Sequence, residues 1–259
     1  MKISELQNRL NNIQKKLHSI IRKRGLKGKQ SYIRSSKLIF EIHEVVKISL
    51  KEELEKHYKN TEFAILPPIG KNSPELTMEG YLKNKKQDIV VLFRNYDIEK
   101  SIVIGVRSQL SSLNKNFDTL MERTFAETLN LRLRNSELIM GEVYLIPAKE
   151  YNEKAMEDFK VEFKKTNLDK FIQMFDRLSN RVSIPPLNPY EIFKYNSTAL
   201  IISDFSQKHG VKLYTNGKEL LKDGLISSQE IAKKFDKLSP IKFTERLIKH
   251  HSYILPKNS

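Results

Sequence analysis

Apolar residues recur at steps of three and four through the first part of the chain. One such run extends from Leu6 to Ile21 and ends near the pair Gly25 and Gly28, and a second covers about 35–58. This period places apolar side chains on one face of a helix, and the glycines and a possible serine cap mark the boundaries. The pattern predicts an N-terminal hairpin of two amphipathic helices.

Short apolar runs then alternate with polar segments. Strands are predicted at 88–93 and 101–106, joined by a polar connection suited to a hairpin, and a longer buried strand at 138–147. A helix is predicted at 116–131 between them. Its apolar arc consists of Phe117, Leu120, Met121, Phe125 and Leu129. The order helix, strand, strand, helix, strand indicates an α/β fold.

The flanking regions give weaker signals. Consecutive prolines predict a loop at 63–70, and a second proline-rich loop is expected at 184–189. Helices are expected at 168–178, 218–224 and 228–238, the last capped by Ser227 or Ser228, and a strand at 198–205. We expect one domain over 1–259, with a basic helical region at 1–60, a core at 61–147 and helical and strand additions at 148–259.

Charge is distributed unevenly along the 259 residues. The formal net charge is +15, and residues 1–40 hold eleven Lys and Arg against one acid, Glu5. Such clustering favours a polyanionic partner, because neutralised phosphates release condensed counterions, although a solvated basic surface is the alternative. The absence of cysteine excludes disulfides and zinc-thiolate sites. With no apolar signal core and no run of roughly 20 apolar residues, a cytoplasmic protein without membrane contact is expected.

Candidate chemistry appears where two predicted strands begin and end. Asp88 precedes the first strand, and Arg107 and Gln109 end the second, sharing one face because alternate residues of a strand point the same way. Hydrolysis of a phosphodiester requires charge stabilisation and an activated water, which divalent ions held by carboxylates supply. Asp118 and Glu122 of the next helix are candidates for a second carboxylate, with Glu122 preferred. Otherwise Asp88 simply caps a hairpin strand.

The segment from about Glu79 to Pro147 resembles the core of the PD-(D/E)xK nuclease superfamily, and specifically Type II restriction endonucleases. Asp88 matches the first acid, and Gln109 the position usually held by lysine, where some members have glutamine. Arg107 stands at the second acid position. Glu122 lies close to the spacing at which other members recruit a helix glutamate, and Glu41 resembles a helix acid that sometimes joins such sites.

This resemblance implies a restriction-endonuclease-like α/β fold, in which a mixed sheet is flanked by helices, and a site-specific hydrolase of double-stranded DNA. Asp88 and Glu122 would bind Mg²⁺, Gln109 would orient water or a phosphate oxygen, and Arg107 would steady a phosphate's charge. A homodimer is implied, since both strands of a duplex have to be cut. The rival interpretation is a noncatalytic DNA- or RNA-binding protein that retains a degenerate nuclease fold.

Contacts to DNA are expected from two groups of polar residues. Basic side chains position a protein on phosphates, whereas Asn, Gln and Arg can read base edges. The predicted DNA-binding residues are Arg22, Lys23, Arg24, Lys27, Lys29, Lys83, Lys85, Lys86, Ser111, Ser112, Asn114 and Lys115. For the N-terminal basic cluster, Arg22, Lys23, Arg24, Lys27 and Lys29, a solvated surface is the alternative.

Overall fold

The computed structural model describes residues 1–182 and 188–255. Along these ranges the strands are β1 (Phe63–Leu66), β2 (Thr77–Met78), β3 (Lys85–Lys86), β4 (Ile89–Phe93), β5 (Ile102–Ser108), β6 (Ile139–Pro147), β7 (Lys149–Tyr151), β8 (Phe163–Lys165), β9 (Ser197–Asp204) and β10 (Lys212–Tyr214). Six of them form the central sheet in the order β1-β4-β5-β6-β9-β10, and β2/β3 and β7/β8 form two small ribbons.

The helices are α1 (Ile3–Arg34), α2 (Lys37–His57), α3 (Phe117–Arg132), α4 (Glu153–Glu157), α5 (Asp169–Arg177), α6 (Gly217–Lys222), α7 (Gln229–Leu238) and α8 (Phe243–His251). Short 3₁₀ turns occupy Ile98–Lys100, Pro189–Glu191 and Pro240–Lys242. None of the helices in the described ranges combines the length and apolar character required to span a bilayer.

Strand directions divide the central sheet into two parts. β1, β4 and β5 are antiparallel neighbours, whereas β5, β6 and β9 run parallel, and β10 returns antiparallel to β9. The parallel step from β5 to β6 requires a crossover, which α3 supplies. The predicted α/β class, with a mixed sheet flanked by helices, is therefore confirmed.

Hydrophobic cores cover both faces of this sheet. On one face, α1, α2 and α8 pack against alternate residues of β4, β5 and β6, such as Ile89, Ile104 and Val143. On the other face, α3 covers Val90, Val103 and Met140, while α5 and α7 cover the region around Tyr144 and Leu200. Every residue of β6 and β9 is buried, as expected for the central parallel strands of an α/β sheet.

Several sequence predictions are confirmed by these bounds. The predicted helices at 35–58, 116–131, 168–178 and 228–238 all form, as do the strands at 88–93, 101–106, 138–147 and 198–205. Ser228 is the cap of α7, because its hydroxyl accepts a hydrogen bond from the backbone N–H of Ile231 at 3.3 Å. Most of the predicted loop at 184–189 lies outside the described residues.

Three predictions require correction. Residues 63–66 form edge strand β1 rather than a loop, with the prolines directly after it. The first helix does not end at Gly25–Gly28: Gly25, at φ +56°, only breaks it, and the chain stays helical to Arg34. The buried side of α3 carries Leu120, Thr124, Thr128 and Leu131, whereas Met121 and Phe125 of the predicted apolar arc are exposed.

Candidate active site

One face of the sheet, the face covered by α3, carries a group of charged side chains. Val90 of β4 and Val103 of β5 are paired and both pack there. Side chains alternate along a strand, so Asp88, Gly105 and Arg107 belong to the same face. Glu142 of β6 joins them, because it is paired with Gly105 across the parallel ladder.

Arg107 is the centre of this group. Its Nε donates a hydrogen bond to Oε1 of Glu142 at 2.7 Å, and its Nη2 donates to Glu127 of α3. Glu127 also pairs with Lys85 of β3, whose Nζ lies 2.6 Å from Oε2, and with Arg123, whose Nε lies 3.0 Å from Oε1. The guanidinium is thereby fixed between a strand carboxylate and a helix carboxylate. We call this group the Arg107 cluster; it consists of three acids, Asp88, Glu127 and Glu142, and two cations, Lys85 and Arg107.

Asp88 is held at the edge of the same group. It lies immediately before β4 and is half-buried, and its Oδ2 accepts a hydrogen bond from the backbone N–H of Val106 at 2.8 Å. This contact ties the carboxylate to the strand that carries Arg107. Its negative charge acts on both Arg107 and Glu142.

The environment sets the protonation of the carboxylates. Complete burial raises the pKa of Glu142 to about 6, with Arg107 acting in the opposite direction. Burial would also raise the pKa of Glu127, but Arg107 and Lys85 outweigh it and lower that pKa below its ordinary value. Burial works against the charge of Arg107, yet Glu142 and Glu127 raise its pKa, so the guanidinium stays charged.

One donor of Arg107 is not used by the part of the chain that the structure describes. Within the described residues, its buried Nη1 has no hydrogen-bond partner. An unmade hydrogen bond of a buried charged group is costly, and such a group is frequently explained by a function. Within the described part of the chain, the guanidinium therefore has hydrogen-bonding capacity that no other group uses.

The other residues predicted for catalysis lie elsewhere. Glu122 and Asp118 are exposed on α3, on the side away from its buried residues. Gln109 follows the end of β5, and its side-chain amide donates to the carbonyl of Ser111 at 2.6 Å. Glu41 pairs with Arg9 and Lys16 of α1. The structure thus brings together Asp88 and Arg107 from the predicted set, and supplies Glu127 and Glu142 as carboxylates.

Glu127 and Glu142 are absent from the sequence-based set for different reasons. Glu142 has a visible signal, since it is an acid inside an otherwise apolar strand, and a buried acid needs a partner. Glu127 has no such signal: it lies one turn from Arg123 on a helix whose apolar residues suggest a different buried side. Along residues 1–182 and 188–255, no group of three or more His, Asp or Glu is arranged to hold a metal ion.

The predicted DNA-binding residues separate into exposed and buried ones. The exposed ones are Arg22, Lys23, Arg24, Lys27, Lys83, Lys86, Asn114 and Lys115. Lys29 is 1% exposed and donates to Oγ of Ser111, which is itself buried, and its Nζ lies 3.6 Å from Oε1 of Glu153. Ser112 donates to the other oxygen of Glu153 at 3.2 Å. Lys29, Ser111 and Ser112 therefore join α1 to the loop after β5, and Lys85 is used in the Arg107 cluster.

A basic cleft borders the exposed basic residues of α1, which are Arg22, Lys23, Arg24 and Lys27. It has a volume of about 820 Å³ and is lined on one side by Lys15, His18 and Arg22 of α1 and on the other by Lys208 and His209 of the β9–β10 loop. Burial lowers the pKa of His18 to about 4, so this imidazole is neutral at pH 7. The remaining lysines and arginine give the cleft a positive charge that suits a phosphate backbone.

Comparison with protein-family models, curated protein sequences and solved structures finds no match to this chain.

Proposed function

We propose that this protein is a Mg²⁺-dependent nuclease that hydrolyses phosphodiester bonds in double-stranded DNA, as Type II restriction endonucleases do. The observation that supports it most strongly is the Arg107 cluster. Asp88, immediately before β4, and Glu142 of β6 lie on one face of the sheet, on either side of β5, which carries Arg107. Within the described residues, Nη1 of this guanidinium has no hydrogen-bond partner. Carboxylates for a cation and a fixed positive charge for a phosphate are the two components that phosphodiester hydrolysis requires.

The order of elements supports a nuclease core. The resemblance in sequence calls for helix, strand, strand, helix, strand. The elements α2, β4, β5, α3 and β6 occur in that order, with the short strands β1, β2 and β3 between α2 and β4. β4 and β5 form an antiparallel hairpin, and β6 lies parallel to β5. A restriction-endonuclease-like fold is the finer assignment that we propose for this mixed sheet.

The geometry favours a different alignment of the second motif. The motif has an acid position followed two residues later by a cation position. Gly105 and Arg107 fit these two positions better than Arg107 and Gln109, since Gly105 and Arg107 lie on the face of the sheet that carries Asp88 and Glu142. The acid is missing at Gly105, but the carboxylate of Glu142 occupies the space above it. We infer that Glu142 replaces the strand acid, that Arg107 stands in the lysine position, and that Gln109 supports the loop after β5 instead of acting on water.

Asp88 and Glu142 fit a Mg²⁺ site in their chemistry. This ion prefers oxygen ligands and is usually bound through one or two carboxylates together with waters and substrate phosphates, so a cage of three protein ligands is not required. Bound there, it would stabilise charge on the phosphate and lower the pKa of a water. Glu142 has to be deprotonated to serve, and its pKa of about 6 allows this at neutral pH.

Arg107 and Glu127 have distinct roles in this proposal. Arg107 would donate from Nη1 to a nonbridging phosphate oxygen, adding positive charge where negative charge develops. Glu127 is a positioning residue, because it holds Arg107 and Lys85 at once and contacts no reacting atom.

Duplex DNA is the proposed substrate, and a homodimer the proposed assembly. The exposed basic residues of α1 and the basic cleft would contact phosphates without reading sequence. Two copies related by a twofold axis would present two clusters to the two strands.

A DNA-binding protein without cleavage activity is the second candidate. Two observations favour it. The guanidinium of Arg107 is paired with both Glu127 and Glu142, and no group of three acids or histidines in the described ranges is arranged for a metal.

Incubation of the purified protein with phage DNA, at low salt with MgCl₂, separates the two. Discrete fragments on a gel support the nuclease. Retarded but intact DNA with every divalent ion tested would contradict it and support the binding protein.

A further inference from the structure

A second charged site lies away from the Arg107 cluster, where β9 begins. Arg132, the last residue of α3, is 1% exposed. Its Nη1 donates to the carbonyls of Lys194 and of Ile192, the latter at 3.1 Å, and its Nη2 donates to Oδ1 of Asn196 at 2.5 Å. All three acceptors are uncharged.

Two further arginines attach to the same stretch of chain. The backbone of Arg181, which is 5% exposed, donates its N–H to the carbonyl of Tyr195 at 2.9 Å and accepts from the amide of Asn196 at 3.3 Å. Its guanidinium donates from Nη1 to the carbonyl of Ser136 at 3.5 Å. Arg246 of α8 donates to Oγ of Ser197 at 3.3 Å and to the carbonyl of Thr198 at 3.2 Å. His250 follows Arg246 by about one helical turn.

In the part of the chain that the structure describes, no acidic side chain forms an ion pair with this group. Within residues 1–182 and 188–255, neither the three arginines nor His250 forms an ion pair. Glu191, the acid whose charge acts on Arg181, is paired with Lys194. Glu245 acts on Arg246 only at a distance. The segments 183–187 and 256–259 contain no Asp or Glu. Buried charges in proteins are normally paired, so this arrangement calls for a counter-charge.

The group also retains unused donors. Within the described residues, Nε of Arg132, Nε of Arg181 and Nδ1 of His250 are buried and have no hydrogen-bond partner. Most buried polar atoms in proteins have at least one partner. Three such nitrogens on cationic or imidazole groups, gathered around one strand end, are an unusual concentration.

Burial lowers the pKa values of these groups, and neighbouring positive charge lowers those of Arg132 and His250 further. Burial lowers the pKa of Arg132, and Arg181 lowers it further. Burial, Lys249, Arg132 and Arg246 together lower the pKa of His250 to about 4. The pKa of Arg246 falls to about 10 through burial.

We propose that Arg132, Arg181, Arg246 and His250 form a binding site for a small tetrahedral oxyanion, inorganic phosphate or the phosphate group of a monoester. Such an anion supplies the two things that the site lacks, a negative charge and several acceptor oxygens. It would bind through charge-assisted hydrogen bonds. Burial of the arginines excludes the backbone of a duplex. The site is therefore separate from the DNA-binding surface and does not depend on the proposed nuclease activity.

Titration calorimetry with sodium phosphate tests this, using the full chain without metal or DNA. Parallel titrations use sodium chloride at equal ionic strength and a 5′-deoxynucleotide. Arg181→Gln removes one charge and the unpartnered Nε donor. Arg134→Gln is the matched control, since Arg134 lies near Arg132 in sequence but is exposed. We expect saturable binding of phosphate beyond the effect of chloride, about tenfold or more weaker in Arg181→Gln and unchanged in Arg134→Gln. Tighter binding of the nucleotide than of phosphate would identify a monoester as the source.

Absence of phosphate binding to the native protein overturns the proposal, as does equal affinity in Arg181→Gln. If Arg181→Gln does not fold, His250→Phe replaces it, because phenylalanine keeps the ring and removes the donor. Equal affinity in that variant would then overturn the proposal in the same way.

Discussion

Gly105 and Glu142 are paired across two parallel strands, and the carboxylate of Glu142 lies over the glycine. A Cβ atom at position 105 would lie 2.2 Å from Oε2 of Glu142. No side chain can therefore be added at Gly105 unless the carboxylate moves. The glycine is what allows a strand residue of β6 to reach the space in front of β5.

Gly105→Ala should displace Glu142 and break its hydrogen bond with Arg107. We expect DNA cleavage to fall about 10–100-fold, as when the surroundings of a metal ligand are disturbed. Overpacking should lower the free energy of unfolding by about 1–3 kcal/mol, measured by urea denaturation. The shorter carboxylate of Glu142→Asp makes room, so the double variant should regain part of the stability lost in Gly105→Ala. A double variant as unstable as the sum of the two single ones would contradict the steric explanation.

Glu127 and Glu122 are two glutamates of α3 that can be compared, because Glu127 contacts Arg107 and Glu122 is exposed. Glu127→Gln removes the charge that holds Arg107 and Lys85, and we expect cleavage to fall about 10–100-fold. Glu122 is exposed, so Glu122→Gln should leave the cleavage rate unchanged. Initial rates on one supercoiled plasmid measure both. The reverse result would restore Glu122 as the functional helix acid.

His251 should make stability fall in acid. Tyr58 donates to its Nδ1 at 2.7 Å, its Nε2 donates to the carbonyl of Lys100 at 2.8 Å, and burial lowers its pKa from 6.5 to about 4. Because the unfolded chain takes up this proton near pH 6.5 and the folded chain only near pH 4, stability is lost as pH falls through that window. The loss is about 3 kcal/mol for this residue.

Urea denaturation between pH 4 and 7 measures that loss. His251→Gln should flatten the pH dependence by about one proton, whereas His209→Gln, at an exposed histidine, should not change it. An unchanged slope in His251→Gln would show that this imidazole does not stay neutral in the folded protein.

Arg22, Lys23 and Arg24 should contribute to DNA affinity through phosphate contacts alone. Their triple replacement by glutamine should reduce the slope of log Kd against log salt by about 2–3, since each phosphate contact contributes about 0.9. Replacement of Lys218, Lys222 and Lys233, exposed on α6 and α7, changes the net charge equally and is the control. Fluorescence anisotropy with a labelled duplex gives both slopes. Equal slopes for the two triple variants would show that Arg22, Lys23 and Arg24 do not contact DNA phosphates.

Local patterns were sufficient to predict most of the regular structure. The steps of three and four in α2, and the paired apolar runs of β4 and β5 with their polar connection, specify helix and hairpin from neighbouring residues alone. β1 was not predictable in this way, because it is four residues long and is followed by two prolines. Its strand conformation depends on pairing with β4, a partner distant in sequence.

The rotation of α3 shows why the site was only partly predictable. Thr124 and Thr128 face the core in place of Met121 and Phe125, and their hydroxyls donate to helix carbonyls four residues earlier, at 2.8 and 3.1 Å. Because these hydroxyls are satisfied within the helix, threonines can be buried there. Hydrophobicity alone therefore selects the wrong buried side of α3, and it does not indicate that Glu127 contacts Arg107.

We propose that Asp88 and Glu142 hold the metal of a nuclease. The most direct measurement is the rate of plasmid cleavage with MgCl₂ by the native protein, Asp88→Asn and Glu142→Gln, after circular dichroism shows that all three are folded. We expect Mg²⁺-dependent cleavage by the native protein and none by either variant, with DNA affinity in CaCl₂ retained. Cleavage by Asp88→Asn or Glu142→Gln at the native rate would contradict it.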